Sequence, residues 1–164
     1  VIGYKGQMPW PRLPRDLKFF KNTSLGASVV VGYRTLLTLS EFVGRTTDLL
    51  PGRRLYVLTH DIRRVHDRFP DCIGVSDIDS VIKLGTRSEV MIAGGENIYH
   101  QFILLPQVRV IHMTQIHANY HGDAFFPLLP EGEWVIKKPR EFYPADSQNK
   151  YAMSFITWHR APSV

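Results

Sequence analysis

Asp16 is the residue whose type and setting point most directly to chemistry. It lies in the stretch from Met8 to Lys21, where Pro14 suits the first position of a helix because it has no N–H to donate. Asp16 then falls in the first helical turn, and Phe19 and Phe20 follow it on the same helix face at spacings of three and four. We expect this face to point inward, so that burial raises the pKa of the carboxyl group toward the range useful for proton transfer. In the alternative interpretation, Asp16 caps the helix from an exposed position.

Glycines stand between a predicted strand and a predicted helix at two places in the chain. Gly32 ends the β-branched run that starts at Ser28, and Gly94 and Gly95 follow the apolar run that ends at Ile92. A glycine at the end of a buried strand lets backbone N–H groups approach an anion closely. The two turns are therefore candidate phosphate-binding sites, although neither has the spacing of the usual dinucleotide fingerprint and Gly-Gly also occurs in ordinary turns.

Basic residues are the third group that could bind a ligand. The chain has 20 Lys and Arg against 15 Asp and Glu, a net charge of +5, which suggests anionic partners. Arg53 and Arg54 follow a turn at the mouth of a predicted strand, and a guanidinium binds a carboxylate or phosphate through two parallel hydrogen bonds. The segment 60–71 is polar and basic, but it has no interleaved aromatic residues and no nucleic-acid-binding motif. We therefore expect no nucleic-acid partner.

The remaining reactive side chains predict neither a metal site nor a disulfide. His117, His121 and Asp123 lie close in sequence, but the segment is expected to turn or alternate, so that the three side chains do not converge on a metal. Cys72 is the one cysteine, which fits a reducing compartment, and we expect a cytoplasmic protein. No apolar run is long enough to span a membrane and no signal-peptide pattern opens the chain, so we expect no membrane partner.

The elements that must position these residues alternate between strand and helix as far as Phe102. Apolar runs predict strands near 28–32, 55–59, 73–75, 89–93, 108–116, 134–138 and 151–158, and helical spacing predicts helices that start at Pro14, Tyr33, Ile78 and Glu96. The stretch 41–50 is expected to be a surface loop. This order predicts one α/β domain over residues 1–164, with a central, mostly parallel twisted sheet, helices on both faces and an antiparallel C-terminal edge strand.

Nearly the whole chain resembles dihydrofolate reductase. The residues that carry the resemblance are Ile2–Gly3, Met8–Pro9–Trp10, Leu13–Pro14 with Asp16, Phe20–Lys21, Gly32 with Thr35, Leu50–Pro51–Gly52–Arg53, Ala93–Gly94–Gly95 with Tyr99, Thr114, and Gly122–Asp123 before Phe126–Pro127. Each motif alone is weak, but in this order and spacing the set is highly specific. The resemblance implies the fold of that family and the NADPH-dependent reduction of 7,8-dihydrofolate to tetrahydrofolate, which supports one-carbon metabolism and thymidylate synthesis.

The resemblance assigns catalysis to the first helix and its surroundings. Asp16 would hydrogen-bond the pyrimidine edge of the pterin and assist protonation of the neighbouring ring nitrogen, and Thr114 would hydrogen-bond Asp16. Met8 and Trp10, with Gln7, would belong to a loop that closes over the nicotinamide and excludes water. The residues that would bind the substrate are Leu17, Phe20, Lys21, Leu39, Leu50 and Arg53, the last of them through the α-carboxylate of the glutamate tail.

The resemblance places NADPH along the glycine turns. Ala93, Gly94 and Gly95 would border the nicotinamide and the pyrophosphate, and Asp123 would steady the closed loop. Phosphates would be held by Gly32, Arg34 and Thr35, and the 2′-phosphate would lie near Thr59 and His60. The other implied cofactor contacts are Ile2, Gly3, Leu58, Glu96, Asn97, Ile98 and Tyr99.

Two features depart from the pattern of the family. Tyr33 stands where many members have an arginine that helps to select NADPH over NADH, so Arg34 or His60 would supply that charge. The family's first strand, which precedes the Ile2–Gly3 loop inside the sheet, has no counterpart before Val1. We therefore expect the sheet to lack this strand or to receive it from elsewhere, because the closing strand matches the family's own last strand.

Three alternative functions are left open by the sequence. A reductase of the riboflavin-synthesis type shares the fold, although the setting of Asp16 and the presence of Arg53 argue against it. A nucleic-acid-binding module would show salt-sensitive binding and indifference to NADPH. An inactive or truncated relative would keep only an interaction role. Under the favoured interpretation the chain is a monomer whose partners are dihydrofolate and antifolate inhibitors.

Overall fold

The structure is a computed structural model, and it describes residues 1–162. These residues form five helices and eight strands. In chain order they are α1 (Pro14–Ser24), β1 (Ser28–Gly32), α2 (Tyr33–Val43), β2 (Arg54–Leu58), α3 (Ile62–Arg68), β3 (Ile73–Val75), α4 (Ile78–Gly85), β4 (Val90–Ile92), α5 (Glu96–Phe102), β5 (Val110–Ile116), β6 (Trp134–Ile136), β7 (Glu141–Tyr143) and β8 (Met153–Arg160). None of the helices in this part of the chain has the length and apolar character needed to cross a membrane.

The first four strands form a parallel sheet in the order β3-β2-β1-β4. Strand β1 lies inside this sheet, and its valines point alternately to the two faces because successive side chains of a strand alternate. Val29 and Val31 pack with residues of α2 and α3 on one face, and Val30 packs with residues of α4 and α5 on the other. The predicted α/β class, the parallel arrangement and the helices on both faces are confirmed.

The remaining strands form an antiparallel sheet around β8. Strand β8 pairs with β5 along one side and with β6 and β7 along the other. The prediction of an antiparallel C-terminal part is thus confirmed, but it comprises four strands instead of one edge strand. Within residues 1–162 no ladder joins β4 to β5, so the two sheets are separate where a single central sheet was predicted.

Three local predictions were wrong, each for a recognisable reason. Helix α2 continues to Val43, so the first three residues of the predicted loop 41–50 are helical. The helix is capped by Gly44, which has a φ of 70° and donates its N–H to the carbonyl groups of Ser40 and Glu41. Helix α3 lies in the polar segment 60–71 and has a single fully buried residue, so it carries little apolar periodicity. Strand β7 was missed because two of its three residues are exposed.

Candidate active site

A cleft of about 2320 Å³ lies between the two sheets. Its walls are formed by α1, the strands β4 and β5, the turns after β1 and β4, and the loop that precedes α1. The predicted site residues that line it are Ile2, Gly3, Gln7, Met8, Trp10, Asp16, Leu17, Phe20, Lys21, Gly32, Arg34, Thr35, Leu39, Leu50, Arg53, Leu58, Ala93, Gly94, Gly95, Glu96, Asn97, Ile98, Tyr99, Thr114 and Asp123. Thr59 and His60 do not line the cleft; they follow β2 directly in the chain.

Helix α1 carries Asp16, and its first turn is held by the other end of the chain. Pro14 occupies the first helical position. The side chain of the preceding Leu13 is apolar, so it cannot cap the helix with a hydrogen bond. The N–H of Arg15 instead donates to Asn149 Oδ1 at 2.9 Å, from the segment between β7 and β8. Asn149 is 3 % exposed and donates its own amide to Asp146 at 2.9 Å. The position of Asp16 therefore depends on a contact between distant parts of the sequence.

Asp16 is half-buried on the side of α1 that faces the cleft. Burial raises the pKa of this carboxyl group, because a charge is less stable away from water. Hydrogen bonding with the Thr114 side chain of β5 acts in the opposite direction and is the smaller effect. The structure thus favours the interpretation of Asp16 as an inward-facing carboxyl group over that of an exposed helix cap.

The two phenylalanines of α1 have different surroundings. Phe19 stacks on Phe155 of β8 with ring centroids 4.1 Å apart, so it anchors the helix to the antiparallel sheet. Phe20 is 36 % exposed and lines the cleft. Phe20 therefore lies on the cleft side of α1 with Asp16, as the spacing predicts, and its ring is available to a ligand.

Arg53 is held at the rim of the cleft by groups of its own turn and of α1. Its guanidinium donates to Ser24 Oγ at 3.1 Å and to the carbonyl oxygen of Pro51 at 3.2 Å, and it lies 5.7 Å from the ring centroid of Phe20. Partial burial lowers its pKa. Within residues 1–162 no carboxylate forms an ion pair with it. A positioned guanidinium of this kind is suited to bind a carboxylate of a ligand.

The two glycine turns meet at the carboxyl ends of β1 and β4. The N–H of Gly32 donates to the carbonyl oxygen of Gly94 at 2.8 Å, and the Gly94–Gly95 peptide is cis. A Cβ atom built on Gly32 would lie 3.0 Å from Ile98, and one built on Gly95 would lie 3.0 Å from Thr35 Oγ1. A side chain at Gly32 or Gly95 would crowd these neighbours. Because both residues are glycine, the backbone at the ends of β1 and β4 stays accessible to an extended ligand. The carboxyl ends of parallel strands are where α/β sheets bind dinucleotides.

The loop before α1 is tied to three other elements. The N–H of Lys5 donates to Asp123 at 2.9 Å, and the hydroxyl of Thr38 on α2 donates to the carbonyl oxygen of Gly6 at 2.6 Å. Trp10 makes an edge-to-face contact with Tyr120, with centroids 6.1 Å apart. These contacts hold the loop against the cleft, which Gln7, Met8 and Trp10 line.

Three residues near the site were not predicted from the sequence. Asn149 and Asp146 position α1, and the bond from Arg15 to Asn149 spans 134 residues, so no local pattern indicates it. Arg64 lies on α3 with its guanidinium carbon 4.6 Å from the ring centroid of Tyr33. The departure at Tyr33 was visible in the sequence, and a search for another arginine near it in space would have found Arg64.

Comparisons with known proteins agree with this geometry. The sequence profile described as dihydrofolate reductase matches residues 1–160. A dihydrofolate reductase of Staphylococcus haemolyticus is 36% identical over 161 residues, which cover 98% of this chain and 89% of that protein. A dihydrofolate reductase of Haemophilus influenzae is 32% identical over 157 residues, which cover 95% of this chain and 89% of that protein.

A solved structure gives the same result at the level of the fold. Dihydrofolate reductase from Enterococcus faecalis, complexed with NADP(H) and RAB-propyl, superimposes with a TM-score of 0.83 and 29% sequence identity. The match covers 99% of this chain and 90% of that structure. With the profile spanning the chain and relatives above 30% identity, this chain belongs to the dihydrofolate reductase family.

Proposed function

We propose that the cleft between the two sheets binds NADPH and 7,8-dihydrofolate together, and that Asp16 manages the proton of the reaction. The activity is that of the family, the NADPH-dependent reduction of dihydrofolate to tetrahydrofolate. The observation that carries the assignment of roles is one half-buried carboxyl group in a cleft that also contains a positioned arginine and two glycine turns. The pathway that uses the product, one-carbon metabolism and thymidylate synthesis, is part of the proposal.

The proposed chemistry needs one acid and a dry site. NADPH supplies a hydride to the carbon of the pterin imine. Protonation of the imine nitrogen withdraws electron density from that carbon and makes it a better hydride acceptor. Asp16 hydrogen-bonds the pyrimidine edge and assists this protonation, and burial raises its pKa above the ordinary carboxyl value, which makes it a better proton donor. The loop that carries Met8 and Trp10 excludes water, which strengthens the electrostatic effect of Asp16 on the ring.

The proposed substrate orientation follows from Arg53 and the apolar wall. Arg53 binds the α-carboxylate of the glutamate tail, since it is held by Ser24 and Pro51. Leu17, Phe20, Leu39 and Leu50 line the same cleft and would contact the aromatic part of the substrate, with Lys21 beside them. A riboflavin-type reductase has no use for a carboxylate-binding arginine at this position, so Arg53 favours the folate assignment.

The proposed cofactor site fits an extended dinucleotide. A Cβ atom on Gly32 or Gly95 would lie 3.0 Å from Ile98 or Thr35, and Gly94 has a φ of 103°, so side chains fit poorly where β1 and β4 end. Backbone N–H groups at this edge can approach phosphate oxygens closely. Tyr99 is half-buried beside Gly94 and packs edge-to-face against Phe126, which stiffens the turn. The remaining predicted contacts lie around the same wall: Ile2, Gly3, Gln7, Arg34, Leu58, Ala93, Glu96, Asn97, Ile98 and Asp123.

The test of the proposed function is the loss of NADPH absorbance on addition of dihydrofolate. We expect Asp16→Asn to keep NADPH binding and to lose most turnover at neutral pH, with partial recovery in acid, where the substrate is already protonated. Asp67→Asn makes the same change at an exposed position of α3 and serves as the control. Unchanged neutral-pH turnover in Asp16→Asn would remove Asp16 from the mechanism. Absence of NADPH binding, together with salt-sensitive binding of nucleic acid, would favour the alternative function.

We propose further that one extended segment joins the two sheets. The strands β4 and β5 are linked by α5, a connection typical of parallel strands in one sheet. Within residues 1–162 neither the outer edge of β4 nor that of β5 has a ladder partner, and residues of both strands line the cleft. An apolar segment of about six residues would pair with both edges and be buried on both faces.

Fusion of a valine- and threonine-rich segment ahead of Val1 tests this part of the proposal, because Val1 lines the cleft. We expect the fused segment to protect the amides of Val90–Ile92 and Val110–Ile116 from hydrogen exchange and to raise the turnover of dihydrofolate. A fused segment of the same length rich in Gly and Ser is the control. Equal exchange in both fusions would refute strand pairing, and equal turnover with and without the segment would show that catalysis does not need it.

The proposed working state is a cytoplasmic monomer. Asp16, Arg53 and the two glycine turns all come from one chain. Cys72 is buried and unpaired among the described residues, which suits a reducing compartment. Antifolates that imitate the pterin and the glutamate tail would bind the same surfaces. Sedimentation at working concentration and fractionation of cells test the two parts of this statement.

A further inference from the structure

NADPH differs from NADH by one phosphate group on the adenosine ribose, and a protein that prefers NADPH needs a cation at that place. In this chain the residue after the Gly32 turn is Tyr33, which carries no charge. Tyr33 is the first residue of α2 and lies directly beyond the β1–β2 register pair Gly32 and Leu58. The cation must therefore come from another residue near the carboxyl ends of β1 and β2.

Arg64 meets the geometric requirement. It lies on α3, which follows β2, and its guanidinium carbon is 4.6 Å from the centroid of the Tyr33 ring. Arginine stacks readily on aromatic rings, and the stacking limits the conformations of its long side chain. The Tyr33 ring is itself fixed, since it packs against the core and its hydroxyl oxygen is buried. The guanidinium is thus held at a defined place on the ring of Tyr33, which lines the cleft, whereas Arg64 itself is not a lining residue.

The charge of Arg64 is also available to a ligand. None of the ion pairs among residues 1–162 involves Arg64. The nearest acid in sequence, Asp61, uses one carboxylate oxygen to accept the backbone N–H of Arg64 at 3.0 Å and so caps the start of α3. A guanidinium that is oriented but not paired can bind a phosphate through parallel hydrogen bonds.

The two residues first considered for this role are held less firmly, although Arg34 lines the cleft. Arg34 is exposed, and within the described part of the chain its guanidinium makes neither a hydrogen bond nor an ion pair. His60 is exposed as well, and its imidazole has no hydrogen-bond partner among residues 1–162. No contact holds either side chain in one orientation, so binding a phosphate would cost each of them conformational entropy. The Arg64 side chain is already ordered by its contact with Tyr33, so the same cost is smaller for it.

We propose that Arg64, held on the ring of Tyr33, binds the 2′-phosphate of NADPH and determines the preference for NADPH over NADH. Many members of the family have an arginine in the position of Tyr33. In this chain, Arg64 would bring a guanidinium to the same place from α3. This inference rests on the proposed function, because it concerns one contact of the proposed cofactor.

Binding of 2′,5′-ADP and of ADP, measured by calorimetry, tests the proposal without turnover. The first probe carries the 2′-phosphate and the second does not. We expect Arg64→Gln to weaken 2′,5′-ADP by about 10- to 100-fold, the effect of one charge-assisted contact, and to change ADP affinity by less than about twofold. Arg63→Gln removes the same charge from the neighbouring exposed residue and is the matched control, for which less than about a threefold loss is expected from the general field.

Two variants of Tyr33 separate stacking from mere proximity. Tyr33→Phe keeps the ring and should bind 2′,5′-ADP as the parent does, since the hydroxyl has no hydrogen-bond partner among the described residues. Tyr33→Leu keeps an apolar side chain but removes the ring, and we expect about a 3- to 10-fold weaker affinity for 2′,5′-ADP. Steady-state kinetics should follow: the ratio of kcat/KM for NADPH to that for NADH falls in Arg64→Gln and in Tyr33→Leu.

Specific outcomes would overturn the proposal. Equal losses in Arg64→Gln and Arg63→Gln would show only a general effect of charge, and an equal loss for both probes would show that the whole site is disturbed. A loss in Arg34→Gln or His60→Gln with none in Arg64→Gln would assign the role to that residue. If the parent binds 2′,5′-ADP strongly but fails to reduce dihydrofolate, the proposed function fails while the assignment of Arg64 is still tested.

Discussion

Asn149 positions the helix that carries Asp16, the proposed proton donor, and its replacement by alanine tests this positioning role. The change removes the acceptor for the N–H of Arg15 and the donor to Asp146, both at 2.9 Å. Asn149 is 3 % exposed, so water does not readily take its place as the acceptor for the N–H of Arg15, whereas the exposed Asp146 can bind water instead. Loss of a helix cap costs about 0.5–2 kcal/mol, and a buried N–H left without a partner costs about 1–3 kcal/mol. Because these costs describe the same lost bond, we expect a loss of about 2 kcal/mol.

The expected readouts are thermal unfolding and turnover. A loss of about 2 kcal/mol corresponds to a fall in Tm of about 4–8 °C for a domain of this size. A looser first turn of α1 also displaces Asp16, so kcat for dihydrofolate should fall by about tenfold while NADPH affinity is kept. Gln148→Ala changes the exposed neighbour, whose backbone N–H contact with Asp146 is retained, and is the control.

A small effect would refute the reasoning. If Asn149→Ala melts within about 1 °C of the parent, the first turn of α1 does not depend on this bond. If Gln148→Ala loses as much stability, the segment between β7 and β8 acts as a whole and the cap has no special role.

Three further predictions concern charged residues of the site and of the segment that holds it. Burial raises the pKa of Asp16, so its ionisation costs stability as pH rises through the folded-state pKa. In urea unfolding, Asp16→Asn should therefore be more stable than the parent near pH 8 and equally stable below the ordinary carboxyl pKa. Hydrogen bonds from Asn149 and its neighbours lower the pKa of Asp146 to about 2, so its contribution is full above the model-peptide value of 3.8 and is lost as pH falls toward 2. Asp146→Asn should therefore lower Tm at neutral pH and leave it unchanged near the acid limit, and an equal fall at both pH values would contradict this. Arg53→Ala should weaken antifolates with a glutamate tail by about tenfold or more, and tail-less diaminopyrimidines hardly at all, in competition assays; equal losses would refute the role of Arg53.

Several parts of the fold and site could be predicted because they depend on neighbours in the sequence. The start of α1 at Pro14, the buried strand β1 and the glycine turns after β1 and β4 follow from backbone preferences and from runs of apolar residues. The weak predictions were those without such local signals. Strand β7 has little buried surface, and α3 has one fully buried side chain, Val65, so neither produces a clear period.

The sequence by itself determined which residues could do chemistry: one carboxyl group on an amphipathic first turn, glycines after two buried strands, and the family pattern that connects them. Only the tertiary structure decided how they are arranged. It placed Thr114 against Asp16, Asn149 at the start of α1, and Arg64 over Tyr33, and it separated β4 from β5. The physical reason is that secondary structure depends mainly on periodicity within a few residues. Contacts between distant segments depend on how whole elements pack, which no short pattern specifies.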